Sequence, residues 1–415
     1  MYSFLDFIFC VLVFIFGFYI STEVCFISIS YQVRIVFSYI AQIHQTFHSL
    51  PIAMEIAQRY PEIEVRLACM TEPHLRFVRS LAAYYPQARV SFDLLHLPKF
   101  LRTSIERSGQ TPLSRVICLF LNRHYFSSFD GIVVTEETSL YLRRFGVQSP
   151  ALIWTMHGAG DRAVGFSQNA LRFDYILMAG HKQEQRFLAN NSIRRGDYTT
   201  GVYAKFDIVR TIQQKRPVPK LFANHRPTIL YNPHFVSRLS SWKRFGWAIL
   251  DYFARQDRYN FIFAPHYRLF HRHKAKARAL IQHFARYDHM LIDPGSHYSI
   301  DMTYTNAADL YIGDVSSQVA EFLITPRPCL FLNAHNAQWQ QNENYLFWTL
   351  GLVRDNIDTL DNDIQQAFLT HDRFADQQKQ YIQETFSLSL TQPTAPIGAE
   401  AIVDFLQKKT KTPLT

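Results

Sequence analysis

The stretch Asp309–Glu321, DLYIGDVSSQVAE, decides how the rest of the chain is read. Leu310 to Ile312 is a short apolar run of the kind that forms a buried strand, and Gly313 permits a sharp turn after it. Asp314, Ser316 and Ser317 come next, just before Gln318 to Ile324, whose apolar spacing predicts a helix. The two serines therefore stand where helix N-caps stand. A strand, a turn of small hydroxyl residues and a helix start make an anion site, because free N–H groups and the helix dipole both favour phosphate. Glu321 falls one turn into that helix. The expected ligand is a nucleotide diphosphate lying across the turn.

The same strand–turn–helix rhythm extends in both directions. Upstream in the same half, strands are predicted at TILYN (228–232), FIFAP (261–265) and MLID (290–293), with helices at 240–256 and 271–287 between them. PCLFLNA (328–334) follows the central motif as another strand. An earlier half repeats the pattern, with strands at 33–41, 64–69, 131–135, 152–156 and 175–178. In it a polar loop, QIHQTFHS, precedes a helix at 51–59 that Pro51 would open, and a further helix is predicted at 74–85. Alternating strands and helices predict parallel sheets covered on both faces. The expected fold is therefore α/β, with two lobes of comparable size and a cleft between them. Residues 33–214 form the first lobe, the proline-rich stretch 215–227 the connector and 228–390 the second lobe, with a C-terminal helix in 391–415. Helical patterns at 359–386 and 397–408 are expected to bring one helix back onto the first lobe.

With 415 residues, 48% of them hydrophobic and 19% charged, the chain is long enough for two cores and is not a disordered polymer. A formal net charge of +9 points to an anionic partner. Phosphorylated substrates, acidic membrane surfaces and nucleic acid all fit that charge, but no nucleic-acid-binding motif accompanies it, so no nucleic-acid partner is expected. Five cysteines stand far apart without a CxxC pair, which argues against a zinc module or disulfide scaffold and fits a reducing compartment. GxGxxG, the P-loop GxxxxGK[ST], HExxH and GxSxG are all absent from the sequence.

Residues 1–32 have a different character, with Phe7 to Ile20 an apolar run broken only by Gly17. Its length is near the ~20 residues of a membrane span, and the first positive charge is Arg34. The expectation drawn from it is a protein at the cytoplasmic face of the cell membrane, peripheral or anchored by this segment. A buried N-terminal element and an over-extended start are the alternatives.

Ligands of doubly wound sheets bind beyond the carboxyl ends of the strands, so polar residues directly after strands carry most weight. His44 and His48 follow the first strand, His157 and Gly158 the strand LIWTM, His234 TILYN, and His266 FIFAP. Histidine at the ends of four strands, in both lobes, marks a site more strongly than any of these residues alone. His157 lies in TMHGAGD, whose glycines admit close backbone approach, and as a neutral imidazole it could take a proton from an attacking hydroxyl. His266 and Arg268, in APHYR, could bind a diphosphate as it leaves. Each also has a plainer reading, as a packing histidine or a solvated arginine. His44 and His48 are acceptor-side candidates or ordinary loop residues, and the cluster HRHKAKAR (271–278) reads best as a solvated helix face.

In order, the motifs HG (157–158), TGVYAKFD (200–207), ILYNPHF (229–235), APHYR (264–268) and IGDVSSQVAEF (312–322) resemble those of the CDP-glycerol glycerophosphotransferase family, the teichoic acid polymerases and primases. The resemblance covers roughly residues 152–334. It implies a GT-B fold of two Rossmann-like lobes, with neither a metal nor another cofactor needed in the active site. It also implies His157 as general base and His266 on the donor pyrophosphate, while His234, Arg268 and Asp314 are donor-side candidates from their places after strands. Ser316 and Ser317 would contact phosphate, and Glu321 would stand where the family has a ribose-binding Asp. The implied partners are a CDP-polyol donor and a polyol phosphate or glycan acceptor, lipid-linked, at a membrane surface. This sequence departs from the family at Met156 for Trp, APHY for KPHP, and Val315 for Tyr. Two rival readings are another GT-B enzyme, either a sugar transferase or a UDP-sugar 2-epimerase, and an inactive membrane-associated nucleotide-binding module.

Overall fold

The computed structural model describes residues 32–161, 165–217, 219–271 and 273–411. Two all-parallel sheets dominate it. The first contains β1 (Arg34–Tyr39), β2 (Glu64–Cys69), β3 (Ser91–Leu94), β4 (Gly131–Val134), β5 (Ala151–Thr155), β6 (Tyr175–Leu177) and β7 (Tyr198–Thr199). Their spatial order is β3-β2-β1-β4-β5-β6-β7. In the second, β8 (Thr228–Asn232), β9 (Asn260–Phe263), β10 (Met290–Ile292), β11 (Leu310–Gly313), β12 (Cys329–Leu332) and β13 (Leu352–Arg354) lie in the order β10-β9-β8-β11-β12-β13. Both sheets are doubly wound. The order reverses between β1 and β4 in one and between β8 and β11 in the other, and at such a switch point the loops diverge to leave a crevice.

Burial explains why the central strands form. All four residues of β4 and β11 and all five of β5 and β8 are buried, as expected for parallel strands covered by helices on both faces. The first helix departs from expectation. It spans Thr46–Arg59, with Pro51 inside it, so the predicted loop after β1 is a single 3-10 turn, Ile43–Gln45, leading straight into the helix. An internal proline costs about 3 kcal/mol. Phe47, Leu50, Ile52, Met54 and Ile56 on that helix are at most 1% exposed, and burying each gains about 1.5–3 kcal/mol, so packing outweighs the lost hydrogen bond. His48 is consequently a helix residue rather than a loop residue.

The predicted pattern at 359–386 resolves into two helices, Leu360–Leu369 and Asp372–Phe386. The second spans both sheets' surroundings: Gln378 bonds the backbone of Arg327 and Leu350, and the Tyr381 hydroxyl donates to Asp161 at 2.7 Å. The last helix, Ala395–Lys411, lies on the first lobe. Asp207 accepts from the N–H groups of Thr394 and Ala395 at its start, and Gly398 lets it close onto Ile52 and Val202.

The expected placement at the cytoplasmic face of a membrane, with an N-terminal anchor, is corrected. Among the described residues no helix is long and apolar enough to cross a membrane. The longest of them, Ala395–Lys411, has 17 residues and carries Glu400, Asp404, Lys408 and Lys409, whereas a span needs about 20 apolar ones. The run from Phe7 to Ile20 lies outside the described residues.

Candidate active site

A cavity of about 430 Å³ opens where the two switch points face each other. From the first lobe its wall takes His44, Gln45, His48, Arg115, His157 and Gly158; from the second, His234, His266, Arg268, Ser316, Ser317 and Glu321. The lobes meet closely here. A Cβ on Gly160 would come within 3.3 Å of Ser317 Cβ, and one on Gly158, where φ is +83°, within 3.5 Å of the Ser317 hydroxyl. The glycines of TMHGAGD thus let the loop after β5 approach the serine turn after β11.

The backbone fixes how each histidine presents itself. His157 Nδ1 lies 2.5 Å from the Thr135 carbonyl, which can only accept, so Nδ1 carries the proton and Nε2 the lone pair. Burial holds this imidazole below the usual histidine range, against the opposing influence of the Thr135 bond. His234 and His266 have the opposite arrangement. His234 Nδ1 accepts from the Val236 N–H at 3.0 Å and His266 Nδ1 from the Arg268 N–H at 3.2 Å, which leaves Nε2 of each as the proton-bearing nitrogen. One lobe therefore offers a basic nitrogen and the other two N–H donors. His44 connects them, its ring 6.0 Å from that of His157 and 6.3 Å from that of His266. Burial first, then the neighbouring histidines and Lys205, hold His44 well below its ordinary pKa. His48, 4% exposed, packs against Tyr203 and is lowered by burial first and then by Lys205.

The central motif is rearranged relative to expectation. Its helix is short, Gln318–Phe322; Ser316 is buried and accepts from the Gln318 N–H at 3.3 Å, whereas Ser317 is exposed. Asp314 does not line the cavity. It is fully buried, and its Oδ2 accepts from the N–H groups of His234 and Ser241 at 2.8 and 2.9 Å, so it ties the His234 loop to the serine turn. Burial pushes its carboxyl up to about 7. Arg268 is exposed, its guanidinium over the Phe235 ring at 4.3 Å. Glu321 is buried and accepts from Lys205 Nζ at 2.7 Å on both oxygens and from the Tyr203 hydroxyl at 2.8 Å. This ion pair joins the two lobes at the base of the cleft.

Several site residues gave no signal in the sequence. Gln45 and Thr135 hold His157, and they are recognisable only once β1 and β4 are known to be neighbours. Arg115, from the helix Pro112–Leu121, reaches the cavity wall 3.6 Å from Glu136. Lys205 lies in TGVYAKFD, a segment notable in sequence only for its resemblance.

The wall teichoic acid polymerase TagF aligns over 92% of this chain and 90% of its own, with a TM-score of 0.58 and 13% identity. The fold is GT-B-like. UDP-GlcNAc 2-epimerase from Neisseria meningitidis, bound to UDP-GlcNAc, aligns over 91% of this chain and all of its own, with a TM-score of 0.62 and 11% identity. A putative UDP-N-acetylglucosamine 2-epimerase from Listeria monocytogenes gives 0.62 at 13% identity, over 92% of this chain and 98% of its own. No family model and no curated protein matches the sequence. At these identities the likeness is one of fold, shared by transferases and epimerases alike.

Proposed function

We propose that the chain is a transferase that moves a polyol phosphate, glycerol phosphate by family default, from a CDP-activated donor to a hydroxyl of a cell-surface polymer or lipid-linked acceptor. The observation that carries this reading is the opposed hydrogen bonding of three histidines on one cavity: His157 Nδ1 lies against a carbonyl, whereas Nδ1 of His234 and of His266 each accepts a backbone N–H. In the proposed reaction the acceptor hydroxyl gives its proton to His157 Nε2, and its oxygen bonds to the β-phosphorus of the donor. The bond from that phosphorus to the CMP oxygen breaks, and CMP leaves. His266 and His234 donate to the phosphate oxygens as charge moves onto them, with Arg268 close by and Ser316 and Ser317 on the same side. Glu321 can take the ribose only by sharing its carboxylate with Lys205 and Tyr203.

A second reading is transfer from, or epimerisation of, a UDP-sugar, favoured by the extent of the alignment with the UDP-GlcNAc 2-epimerases. A donor panel separates the two. Incubated with CDP-glycerol, CDP-ribitol and UDP-GlcNAc, the full chain is expected to release CMP from a CDP-polyol. Release of UDP alone, or appearance of the 2-epimer, would end the phosphotransferase reading, and nucleotide binding without any turnover would favour an inactive module.

A further inference from the structure

We infer that Gln45 is a positioning residue for His157, whose carboxamide holds the Nε2 lone pair of the imidazole until an acceptor hydroxyl takes its place. The inference rests on the reading of His157 as the base. Gln45 Nε2 lies 2.9 Å from His157 Nε2, and Gln45 Oε1 accepts from the Thr135 hydroxyl at 3.0 Å. Thr135 thus closes a ring, with its carbonyl on His157 Nδ1 and its hydroxyl on Gln45. Because the carbonyl can only accept, the neutral ring must present a lone pair at Nε2, and the amide must present an N–H to it.

This arrangement has three consequences. The imidazole is held at both nitrogens and cannot rotate or take the other tautomer without breaking a bond. Gln45 is 5% exposed, so its amide has little water to turn to and keeps its orientation. A proton on Nε2 would meet an N–H head-on, so the amide disfavours the imidazolium and keeps the base ready. An arriving hydroxyl replaces one donor to Nε2 with another, leaving the ring where it stood. The charged or titratable groups that line the cavity with His157 are, among the described residues, His44, His48, Arg115, Glu136, Glu137, Asp161 and Lys205 from its own lobe, with His234, His266, Tyr267, Arg268 and Glu321 opposite.

The test is a histidine NMR titration of the full chain labelled with ¹³C and ¹⁵N in histidine, with the His157 signals assigned by their loss in His157→Gln. In the wild type, ¹⁵N shifts should show the proton on Nδ1 and an unprotonated Nε2. Gln45→Glu places a carboxylate where the amide donor was, and the midpoint of the His157 titration should rise by about 1 pH or more. Thr135→Val keeps the carbonyl but frees the amide to turn its oxygen toward Nε2–H, so it should raise the midpoint by a smaller amount; it decides the matter should Gln45→Glu fail to fold. An unmoved midpoint in the folded variants, or a wild-type proton on Nε2, overturns the inference. No donor or acceptor is needed for this measurement, so a chain that releases no CMP would end the functional reading while leaving the result on Gln45 intact.

Discussion

Replacing His157 by alanine is expected to lower the turnover of a CDP-polyol by about 10²–10⁴-fold, the range for removing a positioned general base. Donor affinity should stay within a few-fold of wild type, because in the proposed reaction the nucleotide lies against His234, His266 and the serine turn, which line the cavity from the other lobe. The pH profile supplies a second check. Burial lowers the His157 pKa, so the base should remain unprotonated, and turnover should persist, to a pH below the ordinary histidine midpoint of about 6.5. Steady-state kinetics with nucleotide binding measured by calorimetry decide it. Wild-type turnover in the variant would remove His157 as the base, and a matching loss of donor affinity would make it a binding residue instead.

The largest effect on stability is expected at Lys205. Its side chain and that of Glu321 are each only 7% exposed, and the pair joins the helix Lys205–Lys215 of one lobe to the helix Gln318–Phe322 of the other. Lys205→Met keeps most of the side-chain volume but strands a buried carboxylate, a change that costs about 3–5 kcal/mol. The double variant Lys205→Met with Glu321→Gln should recover most of that loss, since a neutral amide can still accept from the Tyr203 hydroxyl and no charge remains buried. Urea unfolding followed by fluorescence gives both numbers. If the single variant unfolds like wild type, or the double variant is no better than the single, the pair does not hold the lobes.

The fold was legible where burial on both faces left continuous apolar runs, as in β4, β5, β8 and β11. Strands at or near the sheet margins were missed. β3 is SFDL, β7 only Tyr198–Thr199 and β13 LVR, all short and only partly buried, so no hydrophobic pattern marks them. Of the site, the histidines were legible because a doubly wound sheet delivers strand ends to its crevice, which a single sequence can express. Roles that depend on partners far along the chain were not. Gln45 meets Thr135 across 90 positions and Glu321 meets Lys205 across 116, pairings set by sheet order and lobe closure. Asp314 shows the converse, since its place after a strand suggested a ligand contact, while two backbone N–H groups claim its carboxylate.

In the proposed function one cleft holds an activated nucleotide against the second lobe and a base on the first. A structure of the full chain soaked with CDP-glycerol tests it most directly. The diphosphate is expected beside Ser316 and Ser317, with phosphate oxygens within hydrogen-bonding distance of Nε2 of His266 or His234, and His157 Nε2 open to the face of the β-phosphorus away from CMP. A nucleotide bound elsewhere, or one in this cleft with its β-phosphorus out of reach of an acceptor oxygen held by His157, would contradict it.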